Sequence, residues 1–392
     1  MTSILIVDNQ ENDNASLSRE LDSQKPDWLI QTVASVNAAL GLLESATIDC
    51  IVCEASVPCE DCFDLLNQVK KDYPGSVRFI VSENPKQEMI SEYEQANHRV
   101  VLKSLTTAVV AEQIDRSIRL RQILSEKRLL CYMRGVKSLP SLPDIYNDMV
   151  NELSNPNSSL LNVGRVIEKD PALTATVLKV VNSAFYGLSQ NVDSVAQGVA
   201  LLGAHLIKNL ALVAKVFSIF EGNKDNLNRL SQLSNDANTV GALANQFARH
   251  AKLPRSSVDH SQLAGLLSNI GQLIVLTIQT SHDPNTETPA GELLGAYLLN
   301  DWLMPDPIVE AVALQYESPP PADEAVTPLI VVHAVRYLQE HFTDTNDNDQ
   351  HLACFDYLNS FVEDSIATNW LDAYRDFHQL SSQDDCPGNR AA

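Results

Sequence analysis

The sequence has few basic residues for its length. Among 392 residues there are 28 lysines and arginines against 50 aspartates and glutamates, which gives a formal net charge of -22. A surface this acidic repels phosphate backbones at long range, so the composition disfavours nucleic acid as a partner. One basic cluster keeps a nucleic-acid-binding regulator open as an alternative, and it comprises Arg116, Arg119, Arg121, Lys127, Arg128, Arg134 and Lys137.

Long apolar runs are also missing. No segment supplies the roughly 20 consecutive apolar residues that a membrane span needs. The first residues lack the basic and then apolar pattern of a signal peptide. We therefore expect a cytoplasmic protein with no membrane partner, whose seven cysteines are mostly reduced thiols.

The hydrophobic content of 44% is enough for two domains with separate cores. In the first part of the chain, apolar runs alternate with helical patterns, which predicts a doubly wound parallel sheet of five strands, the flavodoxin-like α/β fold. The predicted strands are Ser3–Val7, Leu29–Val33, Asp49–Cys53, Val77–Val81 and Arg99–Leu102, and the predicted helices are Asn14–Ser23, Val36–Ser45, Asp61–Asp72, Lys86–Ala96 and one that starts at Thr106.

Helical periodicity dominates from about Ser138, which predicts an all-α second domain. Asp170-Pro171 is typical of a helix start. The predicted domains are 1–125, with a last helix or linker to about 135, then 136–342. An acidic extension, 343–392, is predicted to be helical to about 380 and disordered after it. Its many acidic residues predict a solvated face.

The segment from Thr106 to about Met133 carries a helical pattern that is longer than one helix of an α/β domain needs. Two interpretations fit. It is the last helix of the first domain plus a linker, or it is one continuous helix that pairs with its copy in a homodimer.

Side chains with phosphoryl chemistry fall where the predicted strands end. Because carboxyl ends of parallel strands meet at one edge, we expect Asp8, Asn9, Glu54, Ser82 and Lys103 to converge. The stretches ILIVDN, IDCIVCEASVP, VSE and LKS resemble the receiver domain of the response-regulator family. In that family an aspartate accepts the phosphoryl group beside Mg²⁺, which is held by carboxylates.

Two departures from the receiver pattern concern the acceptor and the acidic pair. Glu54 stands at the acceptor position, and Asn9 replaces one carboxylate, so Mg²⁺ is expected to bind weakly or not at all. Three interpretations remain. Glu54 mimics a phosphorylated residue through Lys103 and Ser82, with one charge in place of roughly 1.5–2. The site has simply decayed. Glu54 itself accepts phosphate.

Cys50, Cys53, Cys59 and Cys62 form a C-x₂-C-x₅-C-x₂-C pattern that resembles a metal ligand set. Two of these residues fall in one predicted strand, where a spacing of three points their side chains to opposite faces. We therefore interpret Cys50 and Cys53 as buried apolar residues, with metal binding and a reversible Cys59–Cys62 disulfide as the alternatives.

The stretches LPSLPDIYNDM, EKDPALTATVLKVVNSAFYG, SVAQGVALLGAHLIKNLAL and LGAYLLNDWLMP resemble the HDOD family, helical relatives of the HD metal phosphohydrolases. Where those enzymes have a metal-binding His-Asp dyad, LLSNIGQL places Ser268 and Asn269. The earlier histidine position lies in LSNDANTVGALA. The resemblance therefore implies a vestigial groove without metal, and its predicted residues are Asn235, Ser268, Asn269, Gln315 and Tyr316.

The remaining histidines do not suggest a metal site. His282-Asp283 is literally an HD dipeptide, but it lies in a turn-rich stretch before a proline and is interpreted as surface loop. His205 and His333 lie on helices with apolar neighbours and are interpreted as core or interface histidines. We predict no catalytic residue, no cofactor and no enzyme activity.

The two resemblances together imply a non-catalytic adaptor in bacterial two-component phosphorelay or cyclic-dinucleotide signalling. The expected partner is another signalling protein, namely a kinase, a cyclic-dinucleotide enzyme or a regulator. A homodimer through the receiver and linker helix is also expected. An HD-type cyclic-dinucleotide phosphodiesterase is disfavoured because its ligands are absent.

Overall fold

The protein, described here by a computed structural model, divides into two compact units, Met1–Glu126 and Lys127–Ala392. The described residues are 2–8, 17–54, 59–73, 75–82, 99–102, 106–136, 139–154, 159–183, 186, 191–220, 227–277, 289–302, 304–317, 326–344 and 347–384. Within these ranges, no helix is long and apolar enough to cross a membrane.

The first unit contains a parallel sheet in the order β2-β1-β3-β4-β5. The strands are β1 (Ser3–Val7), β2 (Leu29–Val33), β3 (Cys50–Glu54), β4 (Val77–Ser82) and β5 (Arg99–Leu102). The helices are α1 (Leu17–Gln24), α2 (Val36–Ser45), α3 (Cys59–Asp72) and α4 (Thr107–Leu124). The predicted helix Lys86–Ala96 lies outside the described residues.

Apolar side chains cover both faces of this sheet, because neighbouring strand residues point in opposite directions. Ile4 and Phe79 pack with Leu21 of α1 and Ile114 of α4 on one face. On the other face, residues of β1, β3 and β4 pack with α2 and α3, including Leu65. The sheet therefore lies between two helical layers, as the nearly continuous apolar runs predicted.

The segment after Thr106 forms two helices rather than one. α4 ends at Leu124, and α5 (Lys127–Gly135) begins after Ser125, whose N–H bonds back to the Arg121 carbonyl. The interpretation of a continuous helix is therefore wrong. The apolar side of α4 is buried against the sheet of its own unit, which accounts for its irregular apolar spacing.

The second unit is helical throughout its described part, and the predicted class of a parallel sheet followed by a helical unit is confirmed at that level. Asp170 caps α8 by accepting hydrogen bonds from the N–H groups of Ala172 and Leu173, as predicted. The helices after α5 are α6 (Asp144–Ser154), α7 (Leu160–Glu168), α8 (Pro171–Val181), α9 (Val195–Leu202), α10 (Ala204–Phe220), α11 (Leu227–His250), α12 (Arg255–Leu267), α13 (Ile270–Thr277), α14 (Gly291–Asp301), α15 (Asp306–Ala313), α16 (Pro328–His341), α17 (Asn348–Asn359) and α18 (Asp364–Asp384).

The acidic extension contributes to the core of the second unit. The Trp370 side chain of α18 is fully buried and stacks on Phe247 of α11, with ring centroids 4.9 Å apart. Its indole N–H also donates to the Phe247 carbonyl at 2.9 Å. Acidic residues such as Asp372 and Asp376 face solvent, as predicted. The helix extends to Asp384, slightly beyond the predicted end.

Candidate functional site

In the first unit, three of the predicted site residues lie at the carboxyl edge of the sheet. Asp8 follows β1, Glu54 is the last residue of β3, and Ser82 is the last residue of β4. The strands are parallel, and Glu54 pairs with Val81 in the ladder, so the three backbone positions share one edge. Asn9 and Lys103 lie outside the described residues.

Three cysteines of the first unit, Cys50, Cys53 and Cys62, separate onto the two faces of the sheet, and the side chain of Cys59 lies outside the described part. Cys50 packs on the α1 and α4 side, whereas Cys53 packs with Cys62 on the α2 and α3 side. A hydrogen bond with Cys62, together with burial, raises the pKa of the Cys53 thiol well above its usual value. Cys50, Cys53 and Cys62 are buried free thiols that pack as apolar residues. In the described part of the chain, no three metal-ligating side chains come together.

In the second unit, a buried guanidinium contacts the two residues, Ser268 and Asn269, that the resemblance places at the dyad. Arg336 of α16 is 6% exposed, and its Nη2 atom donates to Ser268 Oγ at 2.7 Å and to Asn269 Oδ1 at 2.9 Å. Its Nε donates to Gln315 Oε1 at 3.0 Å. The Arg336 guanidinium is therefore bound by the two residues that replace the His-Asp dyad in the resemblance, Ser268 and Asn269.

A carboxylate balances this cation. Arg336 Nη1 donates to Asp236 Oδ2 at 2.6 Å, and Asn269 Nδ2 donates to the same oxygen at 2.7 Å. Gln339 donates to Asp236 Oδ1 at 2.9 Å. Because every polar atom at this charge pair has a partner, the pair can be retained in the interior. The Arg336 cluster, as we call it, consists of Asp236, Ser268, Asn269, Gln315, Arg336 and Gln339.

Two further side chains, His333 and Tyr357, are connected to the cluster by hydrogen bonds. The His333 Nδ1 atom lies 3.1 Å from the Gln315 carbonyl oxygen, and its Nε2 atom lies 2.8 Å from the Tyr357 hydroxyl. His333 is therefore a buried core histidine, as interpreted. His205 instead lies on a partly exposed surface, with its Nδ1 atom 3.3 Å from Asp259.

The electrostatics of the cluster favour one protonation state. Burial opposes ionisation of Asp236, but the charge of Arg336 and hydrogen bonds from Asn269, Arg336 and Gln339 outweigh it, so the pKa of this carboxyl lies below its usual value. Burial lowers the pKa of His333, although its bond to Gln315 partly opposes this shift. At neutral pH the cluster therefore contains one carboxylate and one guanidinium, and the neighbouring His333 is a neutral imidazole.

A cavity of about 350 Å³ opens over the cluster. Tyr316 and Tyr374 line it together with the Asp236–Arg336 pair. The guanidinium carbon of Arg336 lies 5.9 Å from the centre of the Tyr316 ring, within the range of a cation–π contact. Tyr374 belongs to α18, so the acidic extension contributes one wall of this cavity.

Four of the five residues predicted for the groove lie together, and one lies elsewhere. Ser268, Asn269 and Gln315 belong to the Arg336 cluster, and Tyr316 lines its cavity. Asn235 is exposed and lines a different cavity, of about 430 Å³. The grouping of Asn235 with the other four residues therefore differs from the structure.

Sequence reasoning missed Asp236, Arg336 and Gln339. One signal was available, because Arg336 is the single arginine of the helix PLIVVHAVRYLQEH, lies among its buried residues and comes three residues after His333. An isolated charge on the buried side of a helix calls for a buried partner.

The Arg336 cluster does not fit a divalent cation. Ser268 and Asn269 offer neutral oxygens, and Arg336 already donates to both. Asp236 is the one carboxylate of the cluster, and it is bound by the guanidinium. The arrangement can hold helices together and shape a cavity, but it offers no ligand set for activating water. The dipeptide His282-Asp283 lies outside the described residues.

Comparisons with known proteins agree with this architecture. Residues 139–288 match the model of the HDOD domain. An uncharacterized protein of Treponema pallidum (strain Nichols) is 24% identical over 227 residues, which are 53% of this chain and 43% of that protein. The chain therefore aligns with less than half the length of this relative.

Two solved structures are similar to about two thirds of the chain. An HDOD domain protein of unknown function from Geobacter sulfurreducens matches 68% of this chain and 97% of its own, with 18% identity and a TM-score of 0.50. A protein of Shewanella amazonensis SB2B, described as a candidate metal-dependent phosphohydrolase, matches 67% of this chain and 98% of its own, with 23% identity and a TM-score of 0.48. The chain therefore contains an HDOD domain, at residues 139–288.

Proposed function

We propose that this protein is a non-catalytic regulator of signal transduction that acts by binding another signalling protein. The observation that carries the proposal is the pair of hydrogen bonds from Arg336 to Ser268 and Asn269, at 2.7 and 2.9 Å. A guanidinium bonded to both residues disfavours a catalytic cation between them. What remains is a rigid helical domain suited to recognition.

We propose further that the first unit is a flavodoxin-like pseudo-receiver. The strand order β2-β1-β3-β4-β5 and the position of Glu54 at the carboxyl edge support this assignment. A glutamate at the acceptor position supplies a permanent negative charge. In this proposal Glu54 keeps the unit in one state, and that state controls the partner binding of the HDOD domain.

Affinity capture from a native lysate tests the adaptor role. The bait is the tagged full chain, compared with Glu54→Ala and with Glu44→Ala, which removes an exposed carboxylate of α2 as a matched control. We expect a protein that survives nuclease treatment and whose recovery falls with Glu54→Ala but not with Glu44→Ala. Capture that nuclease abolishes would favour the nucleic-acid regulator instead.

A hydrolysis assay tests the competing enzyme. The wild-type chain is incubated with cyclic dinucleotides and Mn²⁺, and turnover is compared with that of Arg336→Met. We expect no hydrolysis by either protein. Metal-dependent turnover by the wild type would overturn the non-catalytic assignment.

Acetyl phosphate separates the interpretations of Glu54. The wild type and Glu54→Ala are expected to stay unlabelled, whereas Glu54→Asp restores the aspartate that resembles the family's acceptor and serves as the positive control. Labelling of the wild type but not of Glu54→Ala would show that Glu54 accepts phosphate, which contradicts a fixed signal.

A further inference from the structure

The larger cavity of the second unit lies apart from the Arg336 cluster, between α8, α10 and α11. Its volume is about 430 Å³, within the range of roughly 300–1,000 Å³ that is usual for small-molecule sites. Asn235 lines it, whereas its neighbour Asp236 belongs to the Arg336 cluster. Successive residues of a helix are turned by about 100°, so α11 presents different faces to the two sites.

One wall of this cavity is polar. Ser231, Ser234, Asn235 and Asn238 all line it, at the spacing that places side chains along one face of a helix. Asn238 is 5% exposed and lines the cavity. Among the described residues it is not one of the fully buried amides without a partner, so its amide is accessible from the cavity.

The opposite wall is apolar. Leu210, Val213 and Phe217 of α10 follow one another along the same helix face and line the cavity, together with Leu173 of α8. These side chains are nearly buried. The cavity therefore suits a ligand that has an apolar body as well as a polar end.

The charge of the lining is positive, in a chain whose net charge is -22. Among the described residues, two ammonium groups, those of Lys179 and Lys215, line the cavity against the one carboxylate of Asp170. Lys215 is paired with Asp170 at 2.9 Å. Lys179 is exposed and forms no ion pair with the residues that the structure describes, so its charge is available to a ligand.

We propose that this cavity binds a small amphipathic anion, with its apolar body against α10 and its anionic group near Lys179 and the Asn238 amide. The amide donates to the anion, and the ammonium neutralises it. The proposal does not depend on the adaptor role, because none of these residues belongs to the Arg336 cluster.

Calorimetric titration of the full chain with decanoate, and with decan-1-ol as its neutral counterpart, tests the proposal. We expect decanoate to bind at least about tenfold more tightly than the alcohol, because charge-assisted hydrogen bonds are the stronger ones. Absence of decanoate binding, or equal affinity for both compounds, would overturn the proposal.

Two variants locate the site. Lys179→Met changes an exposed side chain and should bring the affinities for decanoate and decan-1-ol to within about threefold of each other. Asn238→Leu keeps the branched shape of the side chain, removes the amide and should weaken decanoate binding about tenfold.

Matched controls exclude general effects. Asn209→Leu alters another buried asparagine whose amide has no partner among the described residues and which does not line this cavity. Lys127→Met removes an exposed ammonium elsewhere. Both controls should bind decanoate like the wild type, and a loss as large as that of the site variants would place the binding elsewhere.

Discussion

The carboxyl edge of the first unit's sheet and the Arg336 cluster of the second unit differ in how deeply their polar groups are buried. Asp8 and Ser82 are only partly buried, whereas Asn269 and Gln315 are 2% and 1% exposed. Water can satisfy a polar group at an edge. In the interior, each polar atom needs a partner within the protein, or folding loses stability.

This difference determines how each region accommodates its polar side chains. At the edge, Asp8 and Ser82 are within reach of water. In the interior, Arg336 supplies both a positive charge and hydrogen bonds to Ser268 and Asn269. A buried site therefore changes as a set of contacts, whereas a surface site can change residue by residue.

Among the tests of this contrast between edge and interior, Arg336→Met is expected to have the largest effect on stability. It removes the cation and leaves the Asp236 carboxylate without its charge partner, so we expect a loss of roughly 3–5 kcal/mol in the free energy of unfolding. Urea unfolding in a Trp28→Phe background, followed by the fluorescence of Trp302 and Trp370, reports on the second unit.

The control for this variant is Arg375→Met, which breaks the looser surface pair with Asp372, at 3.6 Å. Such pairs contribute about 0–1 kcal/mol. If both substitutions cost the same, the cluster does not stabilise the domain in the way that its geometry indicates.

A second test concerns the acidic extension, which supplies a wall of the cluster's cavity. Trp370→Ala removes a fully buried indole that stacks on Phe247, and we expect a loss of about 3 kcal/mol, measured by urea unfolding. Leu352→Ala, at a position that is 59% exposed, should change stability by less than about 0.5 kcal/mol. Equal effects would mean that α18 is dispensable for the fold.

The sequence predicted well what depends on local patterns. The apolar runs ILIV and CIVC placed β1 and β3 within one residue, and Asp170-Pro171 placed the start of α8. Gly271, in the stretch LLSNIGQL, is required for packing, because a Cβ there would lie 1.7 Å from the Gly291 carbonyl oxygen. Local periodicity and steric requirements depend on short stretches of sequence, so they can be predicted from the sequence alone.

Contacts between distant residues were not predictable in this way. Arg336 meets Asp236, Ser268 and Asn269, which lie 100, 68 and 67 residues away along the chain. The motif indicated the region that contains Asn235 and Asp236, but it did not indicate which of the two residues faces the Arg336 cluster. The break after Leu124 lacks a proline or glycine that would have signalled it.

A third test uses pH. Burial lowers the pKa of His333 in the folded state, so the unfolded chain binds a proton first as pH falls below about 6.5. The stability that neutral His333 contributes is therefore present above this pH and is lost below it. We expect His333→Gln to cost about 2 kcal/mol at neutral pH, since two buried hydrogen bonds are lost, and to flatten the decline in acid.

Urea unfolding of wild type and variant between pH 7.5 and about 5 measures this difference. His250→Gln, at an exposed position near the end of α11, should leave the pH dependence unchanged. A wild type whose stability does not fall in acid more steeply than that of His333→Gln would contradict the assigned role.

The smallest expected effect comes from removing one serine hydroxyl in each of the two regions. Ser268→Ala removes a hydroxyl that donates to the Gly265 carbonyl at 2.6 Å and accepts from Arg336 at 2.7 Å, so we expect a loss of about 1–2 kcal/mol. Ser82→Ala, at the partly exposed end of β4, should cost less than about 0.5 kcal/mol. Trp28 reports unfolding of the first unit, and Trp302 and Trp370 report that of the second. Because both changes delete the same atom, equal losses would mean that burial is not what separates the two regions.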